Sequence, residues 1–283
     1  MHLKCQPRTG KKYFFMFPCH KKKHGYGLAP FRGRYYIPRM MQFCVLGSGS
    51  GGNATIVRAG ETVLLVDAGF SASRLRDKMR SAGVEPDELD AILLTHEHAD
   101  HMKGVHQFTR KHAVRVYATR HTAMCVQEKA PEAPWAYFEK GQSFKIGDIV
   151  ITPFPTYHDA VDPVGFKFET ERSSLGFISD TGQAPGCIAE YLAMVDSLVV
   201  ESNYDPDMLA ATPKRPWPLK QRIASAHGHL SNEQACDLLR RIAHDALKNV
   251  VLAHLSAESN SPALAESLMR DTLHDMGLAS TSL

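Results

Sequence analysis

Apolar and polar positions change their period several times along the chain. Three short apolar runs, over 42–46, 55–58 and 62–66, predict strands, separated by a glycine-rich turn at 47–53 and by Ala59-Gly60. Residues 71–82 place Leu75, Met79 and Ala82 on one helical face, with Gly83 as the stop. Residues 91–94 predict a short buried strand. Helices are expected near 103–111 and 119–129, with a strand at 114–117 between them. Further strands are expected at 149–152, 165–169, 175–179, 197–200 and 250–253. A helix over 232–246 opens with the capping box of Ser231 and Gln234 and carries Ala235, Leu238, Leu239, Ile242 and Ala246 on one stripe. The last helix, 262–276, has proline in its first turn. The segment 212–218 is rich in Pro, Lys and Trp and reads as a surface excursion. Antiparallel strands and single helices alternate in two halves without an internal repeat. That pattern predicts an α/β (α+β) fold of two sheets with outer helices.

Composition narrows the class. A chain of 283 residues, 43% apolar, is long enough for one large layered domain with a substantial core. No run of eighteen apolar residues occurs, so no membrane helix is expected. Six cysteines without a CxxC pair make neither a disulfide scaffold nor a cysteine zinc ribbon, and favour a reduced, cytoplasmic setting. The net charge of +3 hides an asymmetry. Residues 1–39 hold ten of the 33 Lys/Arg and none of the 30 Asp/Glu, which leaves the other 244 residues at −7. This basic stretch lacks the apolar core of a secretory signal and any amphipathic period. A basic nucleic-acid-binding arm and an organelle leader remain alternatives. The expectation adopted is an extension that does not fold, with the natural start at Met40 or Met41 and one domain over 40–283.

The strongest chemical signal is Thr95-His96-Glu97-His98-Ala99-Asp100-His101, directly after the strand at 91–94. Imidazole is the commonest side-chain metal ligand and carboxylate supplies a hard oxygen. His96 and His98, two apart, point the same way in a nearly extended chain, while Asp100 and His101 are turned by the following bend toward a second ion. His158, Asp180 and His254 each follow an apolar strand. Weak alone, together they raise the count to seven N/O donors at strand ends. That number suits two metal ions with positions left open for water, and Asp180 has two oxygens with which to bridge them.

These motifs, with Asp67 at the end of the strand at 62–66, resemble the five motifs of the metallo-β-lactamase-fold hydrolases over roughly residues 41–283. The resemblance implies an αββα sandwich with the metals at one edge. It implies that His96, His98 and His158 hold one ion, that Asp100, His101 and His254 hold the other, and that Asp180 lies between. It implies that Asp67 braces the metal loop by hydrogen bonds and binds no ion. The closer likeness is to the YycJ/WalJ-like branch. It is carried by Gly47-Ser48-Gly49-Ser50-Gly51-Gly52-Asn53-Ala54, Glu201-Ser202-Asn203-Tyr204-Asp205, Gly228-His229-Leu230-Ser231-Asn232 and Leu252-Ala253-His254-Leu255-Ser256. That branch is regarded as bacterial cytoplasmic DNA exonucleases acting from 5′ ends on duplex DNA. Residues 1–39 have no counterpart in its pattern.

Paired divalent ions polarise an ester oxygen and lower the pKa of bound water, with Asp100 or Asp180 to take up the released proton. That chemistry suits phosphodiesters, thioesters and lactams alike, and the donor set suits Zn²⁺, Mn²⁺ or Fe, with zinc or manganese favoured. Three features point to a phosphodiester. The turn at 47–52 offers backbone N–H groups to an anion. His229 precedes a capped helix, where it can contact a phosphate or protonate the leaving oxygen. Lys214, Arg215, Lys220 and Arg222, with Trp217 among them, can track a nucleic-acid backbone. The expected partner is therefore DNA, with no membrane and no deducible protein partner. A small-molecule phosphodiesterase or thioesterase is the alternative. A vestigial, non-enzymatic site is disfavoured by the complete donor set. Only 73 residues separate Asp180 from His254, too few for the large inserted domain of RNA-processing nucleases in the superfamily. His106, His112, His121, His244 and His274 read as surface or packing residues, His227 as structural or exposed, and Cys44, Cys125, Cys187 and Cys236 as small core hydrophobes. Cys5, Cys19, His20 and His24 have no recognisable metal-site spacing.

Overall fold

The computed structural model describes Phe14–Phe15 and residues 40–283. Among these residues, seven strands stand in sequence order in a first sheet: β1 (Phe14–Phe15), β2 (Gln42–Gly47), β3 (Ala54–Ala59), β4 (Thr62–Val66), β5 (Ala91–Leu93), β6 (Arg115–Ala118) and β7 (Trp135–Tyr137). A second sheet runs in reverse order from β13 (Asn249–Ala253) through β12 (Ser197–Glu201), β11 (Ser174–Ile178), β10 (Val164–Glu169) and β9 (Ile149–Pro155) to β8 (Phe144–Ile146). The helices are α1 (Ala72–Ser81), α2 (Ala99–Met102), α3 (Val105–Thr109), α4 (Arg120–Gln127), α5 (Gly186–Leu192), α6 (Pro206–Ala211), α7 (Trp217–Ile223), α8 (Asn232–Ile242) and α9 (Pro262–Asp275). Both sheets are mixed. β2, β3 and β4 are antiparallel and joined by short turns, whereas β4 to β7 are parallel and need helical crossovers. In the second sheet β8 to β11 are antiparallel and β11 to β13 parallel.

The period-two geometry of the central strands sorts their side chains into three apolar layers. On β4, Val63 and Leu65 pack against Leu75 and Met79 of α1 and Val105 and Phe108 of α3, while Leu64 and Val66 face the other sheet. On β12, Leu198 and Val200 meet Leu238 and Leu239 of α8 and Met269 and Leu273 of α9, while Val199 faces inward. Phe166 and Phe168 of β10 and Ile149 and Ile151 of β9 fill the space between the sheets. The result is the expected αββα order of layers. Strands buried on both faces read as continuous apolar runs, which is why 62–66 and 197–200 show no alternation. Among the described residues, no helix is long and apolar enough to cross a membrane.

The capping box of α8 forms as predicted: Ser231 Oγ accepts from Gln234 N, and Gln234 Oε1 accepts from Ser231 N. The helix is shorter than expected. It ends at Ile242, Ala243 turns extended at ψ 149°, and Leu247, not Ala246, supplies the next buried contact. The excursion at 212–218 holds the start of α7, with Pro216 as its N-cap and Pro218 in its first turn, where a missing N–H costs no hydrogen bond. β7, β8, α5 and α6 were also not foreseen. Cys44 and Cys236 are buried as expected, but Cys187 on α5 is exposed. The expected boundary at residue 40 falls largely outside the described residues. Of the extension, the two residues of β1 pair antiparallel with Cys44 and Phe43 of β2.

Two outcomes follow from this packing. Phe166→Ala removes a fully buried ring between the sheets, and should lower unfolding free energy by about 3–5 kcal/mol in a denaturant titration. Asp196 ties together the starts of β11, β12 and β13, accepting from Ser174 N at 2.8 Å and Lys248 Nζ at 2.6 Å. Partial burial pushes its carboxyl up, but the bonds from Lys248 and Ser174 outweigh this and hold it below the usual range. Its contribution is therefore complete above the unfolded-state value of about 3.9 and lost as pH falls through the lower native value. Between about pH 4 and pH 2 the melting temperature of the native protein should fall more steeply than that of Asp196→Asn. Equal slopes would show that Asp196 carries no such linkage.

Candidate metal centre

Parallel strands deliver their C-terminal ends to one edge, and the candidate donors lie just beyond those ends. In the first sheet β4 leads into Asp67 and the neighbouring β5 into Thr95, His96 and His98. In the second, β9 leads to His158, β11 to Asp180 and β13 to His254, while Glu201 closes β12 in register with Ala253. Asp67, Asp180 and His254 have φ of 61°, 53° and 54°, three of the four positive values at non-glycine positions among the described residues. Left-handed backbone at such residues is sparsely populated and persists where the surroundings over-determine it. Here Asp67 N donates to Leu93 O at 2.8 Å and His254 N to Ser48 Oγ at 2.6 Å. The loop after Asp67 is clamped against the metal loop so closely that a Cβ on Gly69 would lie 1.6 Å from the Asp100 carbonyl oxygen. Only glycine permits that approach.

The structure brings all seven sequence-predicted donors together. Ligand atoms of His96, His98 and His158 lie within 4.8 Å of one another, as do those of Asp100, His101 and His254, and those of His96, His101 and Asp180. Asp180 stands among the groups, with Oδ2 3.5 Å from His101 Nε2 and Oδ1 3.9 Å from His158 Nε2. Most of the imidazoles are fixed through Nδ1, which leaves Nε2 to face the centre. His101 Nδ1–H donates to Asp67 Oδ2 at 2.8 Å, His158 Nδ1–H to Gly228 O at 2.9 Å and His254 Nδ1–H to Glu201 Oε1 at 2.7 Å. His96 Nδ1 is 3.0 Å from Thr95 Oγ1. Nε2 of His96 and of His254 are buried without any protein partner. A buried polar atom is ordinarily satisfied, so these two nitrogens fit a site built for cations. Anchoring one ring nitrogen while presenting the other is how ligating histidines are oriented. The brace expected of Asp67 is present, since its carboxylate also accepts from Thr95 N at 2.9 Å.

Charge favours the same use. Burial disfavours a charged His101, yet Asp180 and Asp67 outweigh it and push its imidazole up to about 9. At His254 burial is likewise outweighed, by Asp180 and Glu201, and the ring also rises to about 9. Burial, then the charge on His101, holds His96 well below its usual value. Asp180 is fully buried, which alone would raise it, but His254 and His101 hold its carboxyl well below the ordinary range. These sealed carboxylates require positive charge beside them. Protons and divalent ions compete for the same nitrogens, so metal uptake releases protons.

The donors open into a cleft of about 220 Å³. His229 borders it, half-buried, with Nδ1–H donating to Glu201 Oε1 at 2.7 Å. Burial lowers its tendency to charge, but Glu201 reverses this and raises the ring above its ordinary value. From the turn at 47–52, Gly49 and Ser50 reach the cleft. The amides of Gly49 and Gly52 are spent within the turn, on Asn53 Oδ1 and Gly49 O. Of the four cations at 214–222, Arg215 and Arg222 line the cleft, while Lys214, Lys220 and Trp217 do not. His227 is exposed.

Sequence reasoning missed Glu201 and Asn53. Glu201 is fully buried: Oε1 takes both His229 and His254, and Oε2 accepts from Thr181 N at 3.0 Å and Leu230 N at 3.3 Å. Asn53 Nδ2 lies 2.9 Å from His101 Nε2 and 3.3 Å from Asp100 Oδ2. A glutamate closing an otherwise apolar, doubly buried strand was the signal available for the first.

A family model described as a beta-lactamase superfamily domain matches residues 62–255. The metallo-beta-lactamase fold protein YhfI from Bacillus subtilis superposes with a TM-score of 0.66, at 17% identity over 87% of this chain and 95% of that one. Exodeoxyribonuclease WalJ of Streptococcus pneumoniae is 35% identical over 82% of this chain and 88% of its own length. Exodeoxyribonuclease YycJ of Bacillus anthracis is 34% identical over 84% and 90%. The chain belongs to the metallo-β-lactamase superfamily and, within it, to the branch of the WalJ and YycJ proteins. The superfamily and the donor set together support binding of divalent metal.

Removing one imidazole of this centre should be visible as lost metal. His96→Ala should purify with clearly fewer than two ions per chain by elemental analysis, and full metal content would overturn its place among the ligands. Asp67→Ala should keep the ligands but weaken metal affinity about 10–100-fold in a chelator competition.

Proposed function

We propose that the protein is a metal-dependent exodeoxyribonuclease that hydrolyses phosphodiesters of duplex DNA from the 5′ end, with two Zn²⁺ or Mn²⁺ ions, in a reduced cytoplasmic setting. The observation that carries this reading is a cleft lined by five members of the seven-donor cluster together with the cationic or proton-bearing groups His229, Arg215 and Arg222. Such groups complement a phosphodiester anion better than a neutral thioester or lactam. The names of the WalJ and YycJ relatives support DNA as the polymer. Polarity and strand preference rest on the resemblance to that branch.

In this reading His96, His98 and His158 hold one ion, Asp100, His101 and His254 the other, and Asp180 lies between them. Divalent ions in such a pair supply Lewis-acid polarisation of the ester oxygen and a water acidic enough to serve as nucleophile near neutral pH. The residues of the chain do the rest. Asp67 and Glu201 fix the rings of His101 and His254 through their Nδ1–H groups. Asp100, part-exposed toward the cleft, and Asp180 accept the proton released on attack. Glu201 takes Nδ1–H of His229, which turns Nε2 into the cleft, and its charge keeps the ring protonated. His229 then donates that proton to the leaving oxygen.

The test separates this proton donor from the metal ligands. His229→Ala should keep both ions and a near-native melting temperature, and lose about 10²–10⁴-fold in the rate of release from end-labelled duplex DNA. A lower melting temperature with an unchanged rate per folded molecule would make His229 a packing residue. Full activity would remove it from the reaction.

A further inference from the structure

The basic residues around α7 fall into two sets. Leu219, Arg222 and Ile223 of α7 border the cleft, as does Arg215, two residues before the helix. Each arginine is held by a carboxylate. Arg215 Nε lies 3.2 Å from Glu258 Oε2, and its Nη2 is 3.5 Å from Ser256 Oγ. Arg222 Nε and Nη2 both meet Asp159 Oδ2. Among the described residues, the bonds of both arginines use Nε and Nη2 and leave Nη1 out. Their carboxylate partners adjoin different donors of the cluster. Ser256 and Glu258 follow His254 in the chain, whereas Asp159 follows His158 and has Oδ1 3.3 Å from its Nε2.

A structural role explains these pairs poorly. The side chains are 63% and 29% exposed in the Arg222–Asp159 pair and 24% and 38% in the Arg215–Glu258 pair, and ion pairs open to water to this extent contribute little to stability. A guanidinium fork fits carboxylate and phosphate in the same geometry. We infer that Arg215 and Arg222 grip the phosphates on either side of the scissile one, and that Glu258 and Asp159 hold their places until DNA displaces them. The inference rests on the nuclease reading and deepens it. A strand with phosphates on both sides of the reacting bond engages both arginines, whereas a small diester offers a single phosphorus centre. The grip therefore selects polynucleotide over small diester at a metal centre that is indifferent to the choice. The carboxylates keep each fork ordered in the free protein, so less side-chain freedom is lost on binding.

The two sides of one ion pair provide the test, on the metal-loaded full-length protein. Arg215→Ala and Arg222→Ala should each raise KM for end-labelled duplex DNA about tenfold. Each should also flatten the log–log salt dependence of kcat/KM by about one. Losses on bis(p-nitrophenyl) phosphate should be much smaller than those on DNA. Glu258→Gln should act in the opposite direction and lower KM for DNA, because it frees Arg215, together with Lys214 at 4.0 Å. A merely structural pair would make Glu258→Gln as harmful as Arg215→Ala. A KM for Glu258→Gln at or above that of the native protein overturns the exchange. Native protein that cleaves DNA, with unchanged KM and salt slope in both arginine variants, overturns the grip alone. Native protein that hydrolyses the small diester but not DNA overturns the nuclease reading, and the grip with it.

Discussion

Two sealed carboxylates hold the centre in place, one at the end of each sheet. Asp67 stands beyond β4 and fixes the His101 ring, and Glu201 closes β12 and fixes His254 together with His229. Neither lines the cleft, although an oxygen of Glu201 lies within 4.8 Å of ligand atoms of Asp180, His229 and His254. A carboxylate withdrawn from water is costly unless every lone pair finds a partner. Glu201 meets that condition through two imidazoles and the amides of Thr181 and Leu230, whereas Asp67 has the Thr95 amide and hydroxyl and the His101 ring, and burial still leaves its carboxyl raised. The amides tie the carboxylates to the backbone, the carboxylates tie the rings, and the rings set where cations can sit. The left-handed turns at Asp67, Asp180 and His254 belong to the same arrangement, since they bend each strand's exit toward a common edge.

The parts of this arrangement that lie close together in sequence were legible there. The His96–His101 run, the strand-end positions of His158, Asp180 and His254, and the Ser231–Gln234 cap are local patterns with a physical reason at each residue. Glu201 was not legible as an anchor, because its partners come from the neighbouring parallel strand and from the segment before α8. Its role exists only once β12 and β13 are in register. α7 was hidden by prolines that usually end helices but here start one. The overrun of α8 has a similar cause. Ala246 continues the apolar stripe on paper, while the chain leaves the helix four residues earlier to bring Leu247 and then β13 into the sheet.

Charge is likewise local in its effect. The body beyond residue 39 is acidic overall, yet Arg215 just before α7, Arg222 on it and the half-buried His229 set positive groups along one small volume, beside the carboxylates of Asp100, Asp159 and Asp180. An anionic polymer meets the potential of the cleft before that of the whole molecule, although the surrounding acidity makes the encounter sensitive to salt.

The donors come from both halves of the chain, His96 to His101 from the first sheet and His158, Asp180 and His254 from the second. Chains emerge from the ribosome N-terminus first, so the first sheet and its four donors are complete long before the last donor exists. That last donor follows β13, the edge strand of its sheet. Ions that join the two sets act as a late fastening between the sheets, and their binding energy counts toward the folded state alone. An unfinished or clipped chain lacking β13 has His158 and Asp180 but not His254, so its centre is incomplete. Completion of the centre is thereby deferred until β13 has joined its sheet.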